Sequence, residues 1–490
     1  MIRFWIWLRN ILIAVVVLGV GGWLLLLREV PQPINNDPAF AFNHGSIGNE
    51  AAQGLPEWIW RVLPIVFPEH LPGDQKGWSA LGVAWRSGDE LPIGFSNKTL
   101  GVIPRIAPNC AFCHQGTYRL NAEDPETIVS AGAGTRVDVQ GFIKFLIAVG
   151  QDDKFNARNI MPAIKSRVDM PLWERVMYRF VLIPGVRFAL KGQAETFAWM
   201  QDNPTWGIGR IDPFNPVKYT ALELPDDGTI GNSDMMPLWD LQAAQPTTHR
   251  RFSVHWDGLL SDVHETVVAG AIGDGMTYKS FPGAEENLKV IEDFSNVAMP
   301  PKSPFSSDLD PGDPFYVSAE AVAQGAEIYA GLCADCHEPS GTRFRTPIPM
   351  VEIGTDRHRL DMWTAEAARR YGNYQEDYAW NFEFFHKTDG YNAVPLVGLW
   401  LKGPYLHNGS VPNLAALLEA PKDRPTEFWR GSDLVDPVNG GFVSGEDDDP
   451  LRRSWKVDTS VPGNANTGHT WGTDLGQAEK GALLAYLKTL

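Results

Sequence analysis

A mainly α-helical chain with long loops, its two domains set behind one N-terminal transmembrane helix, is the fold class that this 490-residue sequence predicts. Three observations carry it. A 17-residue charge-free run, Ile11 to Leu27, stands close to the N-terminus. All four cysteines fall in two copies of one motif, Cys-x-x-Cys-His. Helix-like apolar stripes flank the second copy, while Asn, Pro, Asp and Gly crowd the stretch 201–247.

The N-terminal run comes first. It would be about 25 Å long as a helix, and Arg3, Arg9, Arg28, Trp5, Trp7 and Trp23 flank it or punctuate its ends. That pattern predicts a membrane anchor over residues 1–30. A cleaved secretory signal is the alternative, but the apolar stretch continues through Leu27 with no Ala-x-Ala site to close it. Pro31 to Asn36 then reads as a juxtamembrane linker.

The cysteines carry the chemistry. Cys110, Cys113 and His114 form one motif; Cys333, Cys336 and His337 form the other. Two thiols at this spacing can form thioethers to the two vinyl groups of one porphyrin, and the next residue, histidine, is placed to bind the iron. A redox or zinc Cys-x-x-Cys is the alternative, and two matches that consume every cysteine weigh against it. The expectation is two covalently attached haem c groups in two cytochrome c-like domains, residues 31–312 and 313–490. No thiol remains for a disulfide. Haem is attached outside the cytoplasm in bacteria, so the sequence predicts a single-pass protein of the inner membrane with its body in the periplasm.

Within the first domain, Thr135 to Ala148 and Pro171 to Leu190 read as helices, and 201–247 as a long loop. The proline-rich run 300–314 marks the boundary. Ser318 is placed to cap a helix leading into Cys333, with Val322, Ala326, Ile328, Tyr329 and Leu332 as its apolar stripe. Leu483, Leu484, Leu487 and Leu490 give the closing segment another stripe, and the two helices form a natural pair.

The charge balance of −17, with no basic cluster, excludes nucleic acid as a partner. It suits a basic redox donor such as a small cytochrome c or a cupredoxin.

The motifs, taken in order, resemble the bacterial di-haem cytochrome c peroxidase superfamily, and within it the branch containing the di-haem rubber oxygenases. The resemblance rests on the two haem motifs, Gly209 to Pro216, His255-Trp256-Asp257-Gly258, Gly403 to Pro412 and Asn466 to His469. It implies an N-terminal haem where oxygen chemistry occurs and a C-terminal haem that passes electrons. A peroxidatic iron also needs a distal acid/base, and the resemblance puts Glu265 there, with an ordinary surface glutamate as the alternative. Leu259 stands where the peroxidases carry arginine, and His264 where a second acid is common. His264 is either a group approaching the first iron or a hydrogen-bonded structural histidine.

The oxygenase likeness places Phe214 on the distal side and Trp199 between the haems, although either residue also suits a core. Arg210 is a candidate partner for a haem propionate. For the sixth ligand of the second iron the candidates are His469, His407, His358, Met350 and Met362; the resemblance favours His469 and leaves His407 to hydrogen-bond within the pocket. Three functions follow: peroxide reduction fed by the C-terminal haem, a non-catalytic electron relay, and oxidation of an organic substrate by dioxygen.

Overall fold

The computed structural model describes every residue except 1, 27, 31, 33–36, 74, 245–251, 374–381, 447, 450 and 451. The expected linker Pro31 to Asn36 therefore falls almost entirely outside the described residues.

Two expectations need correction. The N-terminal run does form a helix, Ile2–Leu26, yet among the described residues no helix is long and apolar enough to cross a membrane. The physical reason is length and composition. A span needs roughly 17–25 predominantly apolar residues; the charge-free run, at 17 residues, is at the bottom of that range and is diluted by Gly19, Gly21 and Gly22. The single-pass inner-membrane placement, and the orientation built on it, lose their basis. The fold is also less purely helical than expected: helices alternate with small antiparallel sheets of two or three short strands.

The helices start where the sequence offers caps. Asp138 caps Val139–Gln151 through the Gly141 amide, and Asn156 caps Ala157–Lys165. Pro171 to Leu190 becomes Leu172–Met177, a π-helical turn Tyr178–Leu182 and then Ile183–Thr196. Between residues 201 and 244 the chain is mostly irregular, holding only the short helix Asn215–Tyr219, single helical turns and the pair Arg210–Ile211 with Ser233–Asp234.

Ser318 caps Ala319–Leu332. That helix packs on the closing helix Gln477–Thr489 so tightly that a Cβ on Gly325 would collide with the Ala482 carbonyl. Tyr329 and Tyr486 meet across the seam at 5.1 Å between ring centres.

The core joins the halves of the chain. An aromatic nest of Trp60, Trp78, Phe95, Phe112 and Phe142 lies under the first haem motif, and Leu414, Leu483 and Leu487 lie under the second. The largest cluster mixes Phe42, Phe214 and Val268 with Trp363, Tyr371, Trp400 and Phe442. A buried ionic knot adds to it: Asp433 accepts from Arg119 at 2.8 Å, Arg452 at 3.0 Å and Arg136 at 3.2 Å, while Arg119 also reaches Asp449 at 2.5 Å. The strand Glu427–Arg430, paired with Trp455–Asp458, brings Arg430 to Asp234 at 2.5 Å.

Candidate functional site

Both haem motifs sit on one-turn helices whose positions are fixed by neighbours. Asn109 caps Cys110–Cys113 by accepting from the Ala111 amide, and its own amide donates to the Phe42 and Gly45 carbonyls. Gly94, at φ +90°, lets the adjoining strand run against Phe112, where any Cβ would meet backbone. The second motif continues the capped helix Ala319–Leu332 into Ala334–His337.

The two histidines are oriented alike. His114 Nδ1 donates to the Met236 carbonyl at 2.7 Å, and His337 Nδ1 to the Val394 carbonyl at 2.8 Å. A carbonyl only accepts, so each ring carries its proton on Nδ1 and keeps the Nε2 lone pair for a metal. Burial holds both rings neutral, His114 at about 4. The thiols are pushed the other way by burial, Cys110 to about 12 with Asp274 adding to the effect. Burial dominates even at Cys336, where the Arg343 charge works against it, so none of the four is lowered as a reactive redox thiol would be.

Each motif opens on a cavity. The first, about 660 Å³, is lined by Cys110, Cys113 and His114 and by Phe142, Phe214, His255, Trp256 and Arg359. The helix Val263–Gly273 turns Gly270 and Gly273 toward it, and a Cβ at Gly270 would meet only open space. Thr266, Val267 and Ala269 of the same helix complete this wall, and the two glycines leave room on it for a flat macrocycle. The second cavity, about 210 Å³, holds Cys333, Cys336, His337 and His469 in its lining. There the rings of His337 and His469 face each other with centres 6.4 Å apart. An imidazole nitrogen binds a metal at about 2 Å, so two imidazoles on one ion place their ring centres roughly 6 Å apart.

His469 is held there by its loop. Its φ is +46°, preceded by Gly468 at +70°, and the Arg424 guanidinium donates to the Asn466, Gly468 and His469 carbonyls at 2.6, 2.9 and 3.0 Å. A residue kept in this backbone region by several contacts marks a functional constraint. Its Nδ1 is buried with no partner among the described residues.

The same cavity is lined by two buried cations, Lys402 and Arg345. Burial pulls Lys402 down to about 7 and Arg345 to about 10. Lys402 donates to the Pro395 carbonyl and Arg345 to the Ser253 and Asp240 carbonyls; the Asp240 carboxylate acts on both through its charge, and among the described residues neither cation has a carboxylate as hydrogen-bond partner. Haem propionates are the carboxylates that such a pair fits. The residues of both cavities thus suit haem c: Cys110, Cys113 and His114 in one, Cys333, Cys336, His337 and His469 in the other.

The remaining sequence candidates divide. Phe214 lines the first cavity, with the Arg359 guanidinium 4.8 Å above its ring and His255 at 6.2 Å. His407 lines the second, stacked on Tyr391 at 3.9 Å, and burial pulls it to about 3. Glu265 stands elsewhere: its carboxylate accepts from the Glu383 and Phe384 amides at 2.7 and 3.0 Å. His264 is half-exposed and paired with Glu292 at 2.9 Å.

Trp199 packs on Trp206 and Tyr219 and lines neither cavity. Arg210 donates to the Trp206 carbonyl at 2.5 Å and to Asn464 at 2.6 Å. Of the other ligand candidates, Met362 is in the core, Met350 is outside the lining, and His358 pairs with Asp356 at 2.9 Å.

Three residues that sequence reasoning passed over are prominent. Trp256 lines both cavities. His255, beside it, is held neutral by burial and has an Nε2 without a partner among the described residues. Asp274 lines the first cavity with its carboxyl pushed up to about 7 by burial. The first two lie in the quoted His-Trp-Asp-Gly motif, which was available as a signal; Asp274, just past a helix end, had none.

Comparison with known proteins agrees with this geometry. Residues 390–430 match the family described as RoxA-like, cytochrome c-like, a stretch that contains His407. The uncharacterized protein y4iJ of Sinorhizobium fredii is 44% identical over 238 residues, covering 36% of this chain and 39% of that protein. The uncharacterized protein y4iM of the same organism is 26% identical over 307 residues, covering 55% and 64%. The chain thus spans less than two thirds of either relative's length. Fold and site define a haem-containing, oxidoreductase-like protein. Its cytochrome c-like stretch implies haem c.

Proposed function

We propose that the chain is a di-haem c-type oxidoreductase with an electron-transfer site between His337 and His469 and a reaction site on His114 where hydrogen peroxide is reduced. The asymmetry of the two cavities carries this reading: one has imidazoles on both faces, 6.4 Å apart, while the other is about three times larger and has His114 facing open volume. When bound, haem c supplies a redox iron that exchanges single electrons and, where a position is open, takes a small oxygen ligand.

The chain's own residues supply the rest. Reducing peroxide to two waters takes two electrons and two protons, and it needs a group that moves a proton between the oxygens. His255 is a neutral imidazole in the cavity wall, able to accept that proton and return it. Arg359, tied to Asp257 at 2.8 Å and to Ser233 at 3.2 Å, fixes a cation where negative charge develops. Phe214 keeps water from the same space. Trp256, in the wall common to both cavities, is the aromatic path for electrons.

His255→Leu is expected to slow peroxide reduction by about 10²-fold or more with the optical spectrum kept, and Glu265→Gln to leave it unchanged. Turnover of His255→Leu at the wild-type rate would discard the assignment. Trp256→Leu should slow reduction of the first haem by electrons delivered to the second, measured by stopped flow. Equal rates would remove Trp256 from the path.

A second reading has its own observation. The first cavity's volume of about 660 Å³ is within the range of organic ligand sites, about 300–1,000 Å³, and peroxide needs far less. A dioxygen adduct stable in the absence of peroxide turnover would favour oxidation of an apolar organic substrate.

A further inference from the structure

Leu172, Trp173, Val176, Phe180, Val181 and Phe188 are all exposed, Leu172 at 75% and Phe188 at 83%. They belong to the helical run Leu172–Met177, Tyr178–Leu182 and Ile183–Thr196. Four-residue steps on a straight α-helix drift about 40° each around the axis, which would wind this stripe partly into the core. The π-helical turn Tyr178–Leu182, with its wider i→i+5 winding, takes up that drift. The apolar side chains stay on one outward face, opposite Tyr178, Leu182, Val186 and Leu190, which are buried.

Charge follows the stripe. Residues 157–196 hold seven Lys and Arg against three Asp and Glu, in a chain of net charge −17. Arg175, Arg179 and Arg187 run along one flank: Arg179 lies over the Phe180 ring at 5.6 Å, and Arg175 and Arg187 pair with the exposed acids Asp169 and Asp153. Val181, Gly185 and Ala189 are exposed and also line the first cavity, so its mouth opens at the edge of this face.

We infer that the face carried by Leu172–Thr196 docks on an anionic lipid surface, lying in the headgroup boundary with the mouth of the first cavity turned toward the acyl chains. An outward apolar stripe with a basic flank is the pattern of interfacial helices, and the local positive charge complements anionic headgroups. This contact needs no spanning segment and does not depend on the haem assignment.

The test uses full-length protein and vesicles of phosphatidylcholine with about one third phosphatidylglycerol. A nitroxide on Phe188→Cys should become shielded from a water-soluble nickel complex and more accessible to dioxygen when vesicles are added, while one on Asp310→Cys should not change. This readout is local and independent of the N-terminal helix. Phe180→Ser with Phe188→Ser, both outside the core, should weaken vesicle binding by about tenfold or more, and salt should weaken it further. An unchanged Phe188 label overturns the inference. So does equal binding to neutral vesicles, or a dimer in sedimentation that the double substitution abolishes with no response to lipid.

Discussion

Replacing His469 with glycine is expected to convert the second haem from low spin to high spin, seen as loss of the low-spin ferric signals in optical and EPR spectra, with imidazole in solution restoring them. The expectation follows from the 6.4 Å spacing of the His337 and His469 ring centres and from the loop that holds it. Arg424 donates to the Asn466, Gly468 and His469 carbonyls, and Gly468 passes so close to Ile353 and Gly354 that no side chain fits. Gly468→Ala should therefore give a milder form of the same change. An unaltered low-spin spectrum in His469→Gly would remove it as ligand and return the question to His407.

Removing Asp433 should have the largest effect on stability. Its side chain is fully buried among Arg119, Arg136 and Arg452, and Asp433→Ala leaves those cations without their shared anion, a loss of about 3–5 kcal/mol when a buried pair is broken. Burial alone would raise the carboxyl, but the hydrogen bonds and charges of the arginines outweigh it and bring it down to about 2. A carboxyl lowered in the folded state stabilises fully above its unfolded value, near 4, and that contribution is lost as pH falls through about 2. Denaturant melts of wild type and Asp433→Asn should thus differ most above about pH 4 and converge toward pH 2. Parallel pH profiles would show that the knot does not hold the halves together.

How much of this was legible in the sequence depended on the range of the interactions. Local signals read well: Ser318 caps its helix, and the two Cys-x-x-Cys-His motifs line two cavities. His469 was also reachable, because its loop leads directly into the closing helix. Long-range placement was not. Glu265 lies nine residues after Trp256, but the helix Val263–Gly273 turns Gly270 and Gly273 to the cavity and leaves Glu265 to cap the 383–384 amides. The resemblance placed Trp199 between the haems, whereas tertiary packing sets it against Trp206 and Tyr219 and puts Trp256 in the lining of both cavities. The two-domain division hid the Asp433 knot, since its partners Arg119 and Arg136 are some 300 residues away in sequence. The N-terminal run was read as a span from its lack of charge, its length of about 25 Å and its flanking Arg and Trp residues, yet among the described residues no helix is long and apolar enough to cross a membrane.

Two haem c groups of unlike coordination are the centre of this account, and one measurement tests them most directly: EPR of the purified ferric protein, quantified against haem released per chain. The account predicts two covalent haems per chain, one low-spin with two imidazole ligands and one high-spin signal of equal weight that changes when peroxide is added. One haem per chain, or two low-spin signals indifferent to peroxide, would contradict it.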